Sequence, residues 1–296
     1  MTIKHLVISG GGPTMIQSLA AVEYLENKNF INMKEIETIY GTSAGVIVAV
    51  LISLKYDWET INDYIIKRPW QDVFPIKAQN ILDSYSKKGL FDNKTIEKCF
   101  KPLLDAKDLS LGITLEEFFN YSKIEIHFFT FEINHFQLED ISYLNYPNLS
   151  LLVAIQMTCG LPVLVTPVCM EKKCYIDGGI VCNYSLKYCV ESGKKEEEIL
   201  GLKNTYEQDD SLIDDDSNMM DFIMSFLFKT ISSLNLDHIQ PNIKNEVVFH
   251  SSFLTIDLLK NALVNMEFRE ELFKNGEETA KKFLETITSN NKIDST

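Results

Sequence analysis

Apolar positions recur with two different periods in the first fifty residues. Residues 3–9 and 36–40 are short runs with the pattern of a strand, and each of them is followed by a glycine. Between the two runs, apolar residues recur at the spacing of one helix face, at Met15, Leu19, Val22 and Leu25. The apolar run of residues 44–54 has the length of a buried helix. Strand, helix, strand and helix in this order predict an α/β fold with a parallel sheet.

The same patterns predict further elements along the chain. Strands are predicted at residues 123–133, 137–141, 173–177, 198–202 and 246–249. One helix is predicted to begin at Asp92, and two more are predicted at residues 150–159 and 219–234. The last is one long amphipathic helix over residues 255–287.

An acidic stretch divides the chain, since six of the ten residues from Glu207 to Asp216 are acidic and none is basic. Such a run is typical of a solvated loop. We therefore divide the chain into an α/β domain over residues 1–202 and an acidic loop over residues 203–217. A mainly helical part over residues 218–296 is expected to pack on the same domain.

The net charge of the chain limits the classes of partner that it is expected to bind. The 296 residues carry a formal net charge of -14, which disfavours binding to nucleic acid or general attraction to anionic membranes. Neither a transmembrane segment nor a signal peptide is readable, so we expect a cytoplasmic protein with at most peripheral membrane contact. The six cysteines form no C-x-x-C pair and are expected to be thiols. We expect no metal and no cofactor.

The sequence Gly41-Thr42-Ser43-Ala44-Gly45 is a G-x-S-x-G motif between a predicted strand and a predicted helix. A serine on such a turn is exposed at the carboxyl edge of the sheet, and the flanking glycines let strand and helix pack closely. The helix N-terminus would stabilise negative charge there. The alternative is a glycine-rich turn without chemistry, and the pentapeptide alone does not decide between them.

Gly10, Gly11 and Gly12 also end a strand and begin a helix. Consecutive glycines at a helix start expose amide groups that can bind an anion, such as the oxyanion of an acyl-transfer intermediate. The alternative ligand is a dinucleotide pyrophosphate. That interpretation requires G-x-G-x-x-G, and Met15 occupies the last position. We therefore favour the oxyanion role.

A nucleophilic serine needs a group that accepts its proton. His5 and His127 lie within strand patterns and His135 lies in a predicted turn, whereas His238 and His250 follow in the chain order of a hydrolase triad. Asp177 has the better context. It ends a predicted strand and precedes Gly178 and Gly179, so we expect it at the same sheet edge as Ser43, although Asp-Gly is also a common turn pair.

These motifs together resemble the patatin-like phospholipase family, which has a glycine-rich oxyanion loop, then G-x-S-x-G, then Asp-Gly-Gly or Asp-Gly-Ala. The likeness extends over residues 3–202, including "GLFDNKTIEKCF" and "AIQMTCGLPVLVTPV". The resemblance implies a three-layer α/β/α fold with a mainly parallel sheet, related to the α/β-hydrolase architecture. It also implies a phospholipid or other acyl-lipid substrate and a metal-independent dyad, with Ser43 as nucleophile and Asp177 as base.

The chain departs from the family pattern at three positions. Thr14 and Met15 replace the usual basic residue and glycine of the oxyanion loop, which puts headgroup preference in question. Thr158 replaces the more usual serine, from which we expect little effect.

Two alternatives to the dyad stay open at this point. One is a triad esterase or acyltransferase that uses His238 or His250. The other is a catalytically weakened lipid-binding protein on the same fold. A lysine cluster from Lys87 to Lys101, around Leu90, Phe91, Ile96 and Phe100, is either a patch that contacts a bilayer or a solvated helix face, which we favour.

Overall fold

The computed structural model describes residues 2–75, 86–206, 213–217, 219–234, 240–252 and 254–293. Most of the acidic stretch (207–212) and His238 lie outside these residues. The strands are β1 His5–Ile8, β2 Thr38–Thr42, β3 Gly89–Phe91, β4 Glu125–Glu132, β5 Gln137–Ile141, β6 Val163–Val165, β7 Val168–Met170, β8 Lys173–Asp177, β9 Ile199–Tyr206 and β10 Glu246–Ser251.

The helices surround this set of strands. They are α1 Met15–Asn27, α2 Ala44–Ser53, α3 Trp58–Lys67, α4 Trp70–Val73, α5 Asn93–Asp105, α6 Leu115–Ser122, α7 Leu151–Thr158, α8 Leu186–Glu191, α9 Met219–Leu234, α10 Ile256–Val264 and α11 Met266–Ile293.

The main sheet has the strand order β10-β9-β1-β2-β4-β8-β7, and β5 also pairs with β4. Neighbours from β10 to β4 are parallel, whereas β8, β7 and β5 are antiparallel to their partners. Strands β3 and β6 form a small parallel sheet of their own. The prediction of an α/β fold with a mainly parallel sheet is confirmed.

Both faces of the sheet are covered, because successive side chains of a strand point to opposite faces. Leu6 and Ile8 belong to the large apolar core that contains α1, α2 and α7. Val7, between them, belongs to a second core formed with Tyr184 and Leu186 around α8. The alternation within one strand therefore produces the three layers.

The C-terminal part completes the same sheet. Strand β10 pairs with β9 at the edge, and α11 packs along α1. The two helices approach closely at Gly276, where an added Cβ would lie 2.3 Å from the carbonyl oxygen of Gln17. Only glycine fits at this crossing. The rings of Phe30 and Phe283 make a further edge-to-face contact at 5.4 Å.

The prediction of one long helix over residues 255–287 is wrong, because the helix is interrupted at Asn265. This residue has extended backbone angles, φ -96 and ψ 113. Its side-chain oxygen accepts a hydrogen bond from the amide of Phe268 at 3.3 Å. Asn265 thus caps a new helix, which is a common role of asparagine.

The expectation of six thiols is wrong for one pair of cysteines. Cys169 on β7 and Cys174 on β8 are directly opposite in the register of the hairpin, with Cα atoms 4.0 Å apart, and form a disulfide. Cys99, Cys159, Cys182 and Cys189 are not disulfide-bonded. The sequence spacing did not reveal the pair because it depends on the position of the β7–β8 turn.

Candidate active site

Ser43 occupies a strained turn between β2 and α2. Its backbone has φ 51 and ψ -127, a region that residues with side chains rarely adopt. Close packing maintains this turn, since a Cβ added at Gly45 would lie 2.3 Å from the carbonyl oxygen of Ile8. At Gly41 an added Cβ would lie 2.9 Å from the side chain of Val46. The two glycines of the motif thus let the helix start close to β1.

Asp177, the last residue of β8, lies beside this serine. The Ser43 hydroxyl donates a hydrogen bond to Oδ2 of Asp177 at 2.6 Å, and the amide of Gly179 donates to Oδ1 at 2.8 Å. At Gly178 an added Cβ would lie 2.4 Å from the carbonyl oxygen of Phe129. The Asp-Gly-Gly sequence therefore lets the chain turn against β4 while both carboxylate oxygens are bonded.

The environment of Asp177 adjusts its basicity. Burial raises its pKa from the usual 3.8 to about 6, although the hydrogen bonds from Ser43 and Gly179 act in the opposite direction. A carboxyl group with this pKa is mostly ionised at neutral pH and is a stronger base than an exposed aspartate. Such a value is close to the range that suits a general base near pH 7.

The glycine loop is held through its carbonyl groups and through the amide of Gly10. This amide donates to the carbonyl of Asn183 at 3.2 Å, so it is not available to an oxyanion as expected from the sequence. The carbonyl of Gly10 accepts hydrogen bonds from the side chains of Asn183 at 3.3 Å, Asn204 at 3.0 Å and Tyr206 at 3.3 Å. The carbonyl of Gly11 accepts one from Thr14 Oγ1 at 2.9 Å. Thr14, which replaces the family's usual basic residue, is therefore an integral part of the loop.

The amides beside Ser43 differ in their partners. Within the described part of the chain, the amides of Gly11, Gly12 and Ala44 donate to no protein acceptor. The amide of Ser43 itself donates to Thr158 Oγ1 at 2.9 Å. The cavity described below is lined by Gly11, Gly12, Ser43 and Ala44, but not by Thr158. The loop and the start of α2 therefore leave three amides available for a bound anion.

Thr158 links the backbone of Ser43 to β4 by two hydrogen bonds. Besides accepting from Ser43, its hydroxyl donates to the carbonyl of Phe129 at 2.5 Å. A serine could form both hydrogen bonds through the same hydroxyl group, which agrees with the small effect expected for this substitution.

Sequence reasoning missed Asn204 as a residue of this site. Its side chain bonds the carbonyl of Gly10 and also donates to Thr14 Oγ1 at 3.1 Å. Asn204 lies beyond the strand predicted over residues 198–202, in the stretch predicted as a loop, whereas the observed β9 continues to Tyr206. No sequence signal therefore marked this residue. Asn183, which also bonds the carbonyl of Gly10, was not predicted as a site residue either.

The described histidines have other partners. His5 bonds Thr38, and His250 bonds Thr205 on β9 at 3.0 Å. His135 pairs with Glu132 at 2.7 Å. None of these side chains, nor that of His127, lines the cavity that contains Ser43. The fifth histidine, His238, lies outside the described residues.

His127 is part of a buried ion-pair network on β4. It contacts Asp140 at 2.7 Å and Glu125 at 3.1 Å. Burial alone would lower its pKa, but the hydrogen bonds with Asp140 and Glu125 outweigh burial and raise the pKa to about 9. Its ring also stacks on Tyr40 at 4.0 Å. These contacts give His127 a structural role.

Ser43 and Asp177 border an apolar cavity of about 880 Å³, within the size range of small-molecule pockets. Its walls come from the glycine loop, from helices α1 to α5, from α9 and from α10. Aliphatic and aromatic side chains dominate the lining, among them Ile47, Leu51, Trp70, Phe74, Phe91, Ile96, Phe100, Leu103, Leu164, Phe228, Ile231 and Leu263. The cavity suits a long apolar chain with a polar group at Ser43.

Two thiols in the cavity wall are poor nucleophiles at neutral pH. Burial raises the pKa of Cys99 to about 12 and raises that of Cys159, next to Ser43, well above its usual value. Both thiols are therefore protonated at neutral pH, and a thiol is a far weaker nucleophile than a thiolate. Among the described residues, no cluster of three or more His, Cys, Asp or Glu side chains is placed to hold a metal ion.

Lys94, Lys98 and Lys101 of the lysine cluster lie on α5, and none of the apolar residues of the cluster is exposed. Phe91, Ile96 and Phe100 are buried and line the cavity, whereas Lys94 and Lys98 face solvent. This arrangement is that of a solvated helix face.

Comparison with known proteins places these features in a family. The family model described as patatin-like phospholipase matches residues 6–190. The chain is 26% identical over 215 residues to "Probable lipid hydrolase 463L" of Invertebrate iridescent virus 6, covering 69% of this chain and 72% of that protein. It is 24% identical over 186 residues to "Uncharacterized protein R571" of Acanthamoeba polyphaga mimivirus, covering 62% and 60%.

A solved structure has a similar fold. VipD from Legionella pneumophila superposes with a TM-score of 0.57 and 17% sequence identity, covering 97% of this chain and 67% of that chain. At this identity the likeness concerns the fold alone. No described helix is long and apolar enough to cross a membrane.

Proposed function

Because the chain belongs to the patatin-like phospholipase family, we propose that it is a lipid acyl hydrolase of the phospholipase A type. Its substrates would be fatty-acyl esters of phospholipids. The observation that carries the proposal is the 2.6 Å hydrogen bond from Ser43 to a buried, ionisable Asp177 at the wall of an apolar cavity. The likeness to a protein named as a probable lipid hydrolase supports the same substrate class.

The first half of the proposed reaction forms an acyl-enzyme. The acyl chain lies in the cavity with its ester carbonyl at Ser43. The hydroxyl oxygen attacks the carbonyl carbon while its proton passes to Oδ2 of Asp177. The amides of Gly11, Gly12 and Ala44 stabilise the oxyanion of the tetrahedral intermediate. The intermediate collapses, the ester bond breaks, and Asp177 returns the proton to the leaving alcohol.

The second half regenerates the enzyme. Water attacks the acyl-serine carbonyl and loses its proton to Asp177. The same amides stabilise the second oxyanion. Collapse then breaks the bond to Ser43 and releases a fatty acid, while the proton returns from Asp177 to the serine oxygen. The carboxyl group thus acts as base and acid in each half.

Two observations favour the dyad over the alternatives. A triad requires a histidine at Ser43, and the described histidines are bonded elsewhere. A lipid-binding protein with weakened catalysis would be expected to have lost the geometry of the glycine loop. Here Thr14 bonds Gly11 and Asn204, so the loop is supported despite the missing basic residue.

The test is hydrolysis of a lipid panel by the wild-type protein, Ser43→Ala and Asp177→Asn, with products identified by mass spectrometry. Phospholipids, lysophospholipids and neutral lipids are included. We expect each variant to lose at least about 10³-fold in kcat. Ser53→Ala is the matched control, since this buried serine of α2 bonds only its own helix at Ala49. Retained hydrolysis by either site variant contradicts the dyad.

A further inference from the structure

Helix α9 has apolar side chains on two opposite faces. The inner face consists of Met224, which is buried, together with Phe228 and Ile231, which line the cavity. The outer face consists of Met219, Phe222 and Phe226, which are 73%, 53% and 66% exposed. With 3.6 residues per turn, the two sets lie on opposite sides of the helix. One helix therefore separates the cavity from its surroundings with apolar side chains on both sides.

The outer face is unusual for a helix in water, which normally presents polar residues to solvent. The sixteen residues of α9 include only two charged ones, Asp221 and Lys229, in a chain of net charge -14. An exposed apolar surface of this kind marks an interaction site.

A third exposed aromatic residue lies beside the same part of the structure. Phe136, in the turn between β4 and β5, is 69% exposed, and its ring contacts Phe131 at 4.8 Å. Phe131 forms a small apolar cluster with Ile176 and Ile180, and Ile231 of α9 packs against that cluster. Phe136 and α9 thus flank one cluster, and Ile176 and Ile180 lie immediately before and after the Asp-Gly-Gly sequence.

We propose that the outer face of α9, together with Phe136, is the surface that docks on a lipid bilayer. The helix would lie in the plane of the interface, with its outer side chains among the acyl chains. Its inner side chains already line the cavity, so lipid at the outer face is separated from Ser43 by one helix. The inference rests on the proposed function in that the bilayer is the source of the acyl-lipid substrate.

The size of the surface favours lipid over a protein partner. The four side chains of this surface, of about 200 Å² each and exposed for about two thirds, present about 500 Å². A stable protein interface needs about 800 Å² on each partner. A bilayer has no such minimum area, because each inserted side chain contributes independently.

The charge of the surface predicts which bilayer it prefers. Lys229 is the only basic residue of α9, and the whole chain is acidic. Electrostatic attraction to anionic lipid would therefore contribute little. We expect binding to phosphatidylcholine vesicles that does not increase when anionic lipid is added.

The experiment measures cosedimentation with phosphatidylcholine vesicles in a Ser43→Ala background, so that no lipid is consumed. The test variant is Phe222→Ser with Phe226→Ser. The control is Leu144→Ser, because Leu144 is 65% exposed, similar to Phe226, but lies after β5 and outside the cavity lining. We expect the partition coefficient to fall at least about tenfold in the double variant and to stay unchanged in the control.

The outcomes separate the docking surface from the chemistry. Absence of vesicle binding by the parent protein, or an equal loss in the double variant and the control, overturns the docking proposal. A change from dimer to monomer in the double variant, seen by size-exclusion chromatography, would assign the face to a second copy and also overturns it. Circular dichroism confirms that each variant is folded. Vesicle binding without lipid hydrolysis by the wild type would refute the proposed function alone.

Discussion

The acid limb of the pH–rate profile is set by the burial of Asp177. As the proposed base, this residue must be ionised, so activity should rise with pH through its pKa. With a pKa of about 6, about one tenth of the carboxyl is ionised at pH 5 and about nine tenths at pH 7. At its usual pKa of 3.8, about nine tenths would already be ionised at pH 5. The structure therefore predicts about a tenfold rise in kcat/KM between pH 5 and pH 7.

The assay is hydrolysis of p-nitrophenyl butyrate between pH 4.5 and pH 8.5, which avoids any effect of vesicle binding. An imidazole of ordinary pKa would give a similar limb. The variant His238→Ala with His250→Ala therefore accompanies the wild type. The dyad predicts that the double variant retains both the limb near pH 6 and most of the rate.

Two results would refute this reasoning. A limb near pH 4 would mean that the Asp177 carboxyl is not desolvated as the structure indicates, or is not the base. Loss of the rate in the histidine variant would assign proton transfer to His238 or His250.

Three other substitutions probe the site. Because burial raises the pKa of Asp177, ionisation costs the folded state about 3 kcal/mol as the pH rises from about 4 to above 6. The free energy of unfolding of Asp177→Asn, measured with urea, should therefore increase relative to that of the wild type by up to this amount between pH 4 and pH 8. Asn204→Leu removes a hydrogen bond to Gly10 and should lower kcat about tenfold to hundredfold with little change in KM for a soluble ester, measured by steady-state kinetics. Gly45→Ala brings a Cβ 2.3 Å from a carbonyl oxygen of β1 and should lower the Tm by about 5–10 °C. Gly112→Ala, whose added Cβ lies 3.6 Å from its nearest neighbour, should leave the Tm of thermal unfolding nearly unchanged.

Local sequence predicted the parts of the fold and of the site that depend on neighbouring residues. Periodicity located β1, α1 and α2, and the glycine motifs located the turns that follow the strands. Parallel pairing of β1 with β2 brings Gly10 and Ser43 to one sheet edge. Asp177 reaches the same edge because β8 pairs with β4 at Thr130. For Gly10 and Ser43 the placement follows from the ends of parallel strands, which the sequence marks with glycine. For Asp177 it follows from the register of an antiparallel pair, which the sequence does not mark.

Four features of the structure were not readable from the sequence patterns. Asn204 reaches Gly10 only because β9 pairs with β1, and no local pattern records that pairing. The helix break at Asn265 depends on one side-chain cap within an otherwise continuous amphipathic pattern. The Cys169–Cys174 pair depends on the register of a hairpin. Prediction of the cavity would have required the positions of α9 and α10 in the fold, and both helices follow the acidic stretch.

The most direct test of the central claim is covalent labelling of the folded protein with a fluorophosphonate probe, followed by mass spectrometry of the labelled peptide. The account predicts one adduct on Ser43, absent in Ser43→Ala and formed much more slowly in Asp177→Asn. An adduct on another residue, or an unlabelled protein that remains folded, would contradict the claim that Asp177 activates Ser43 as the nucleophile.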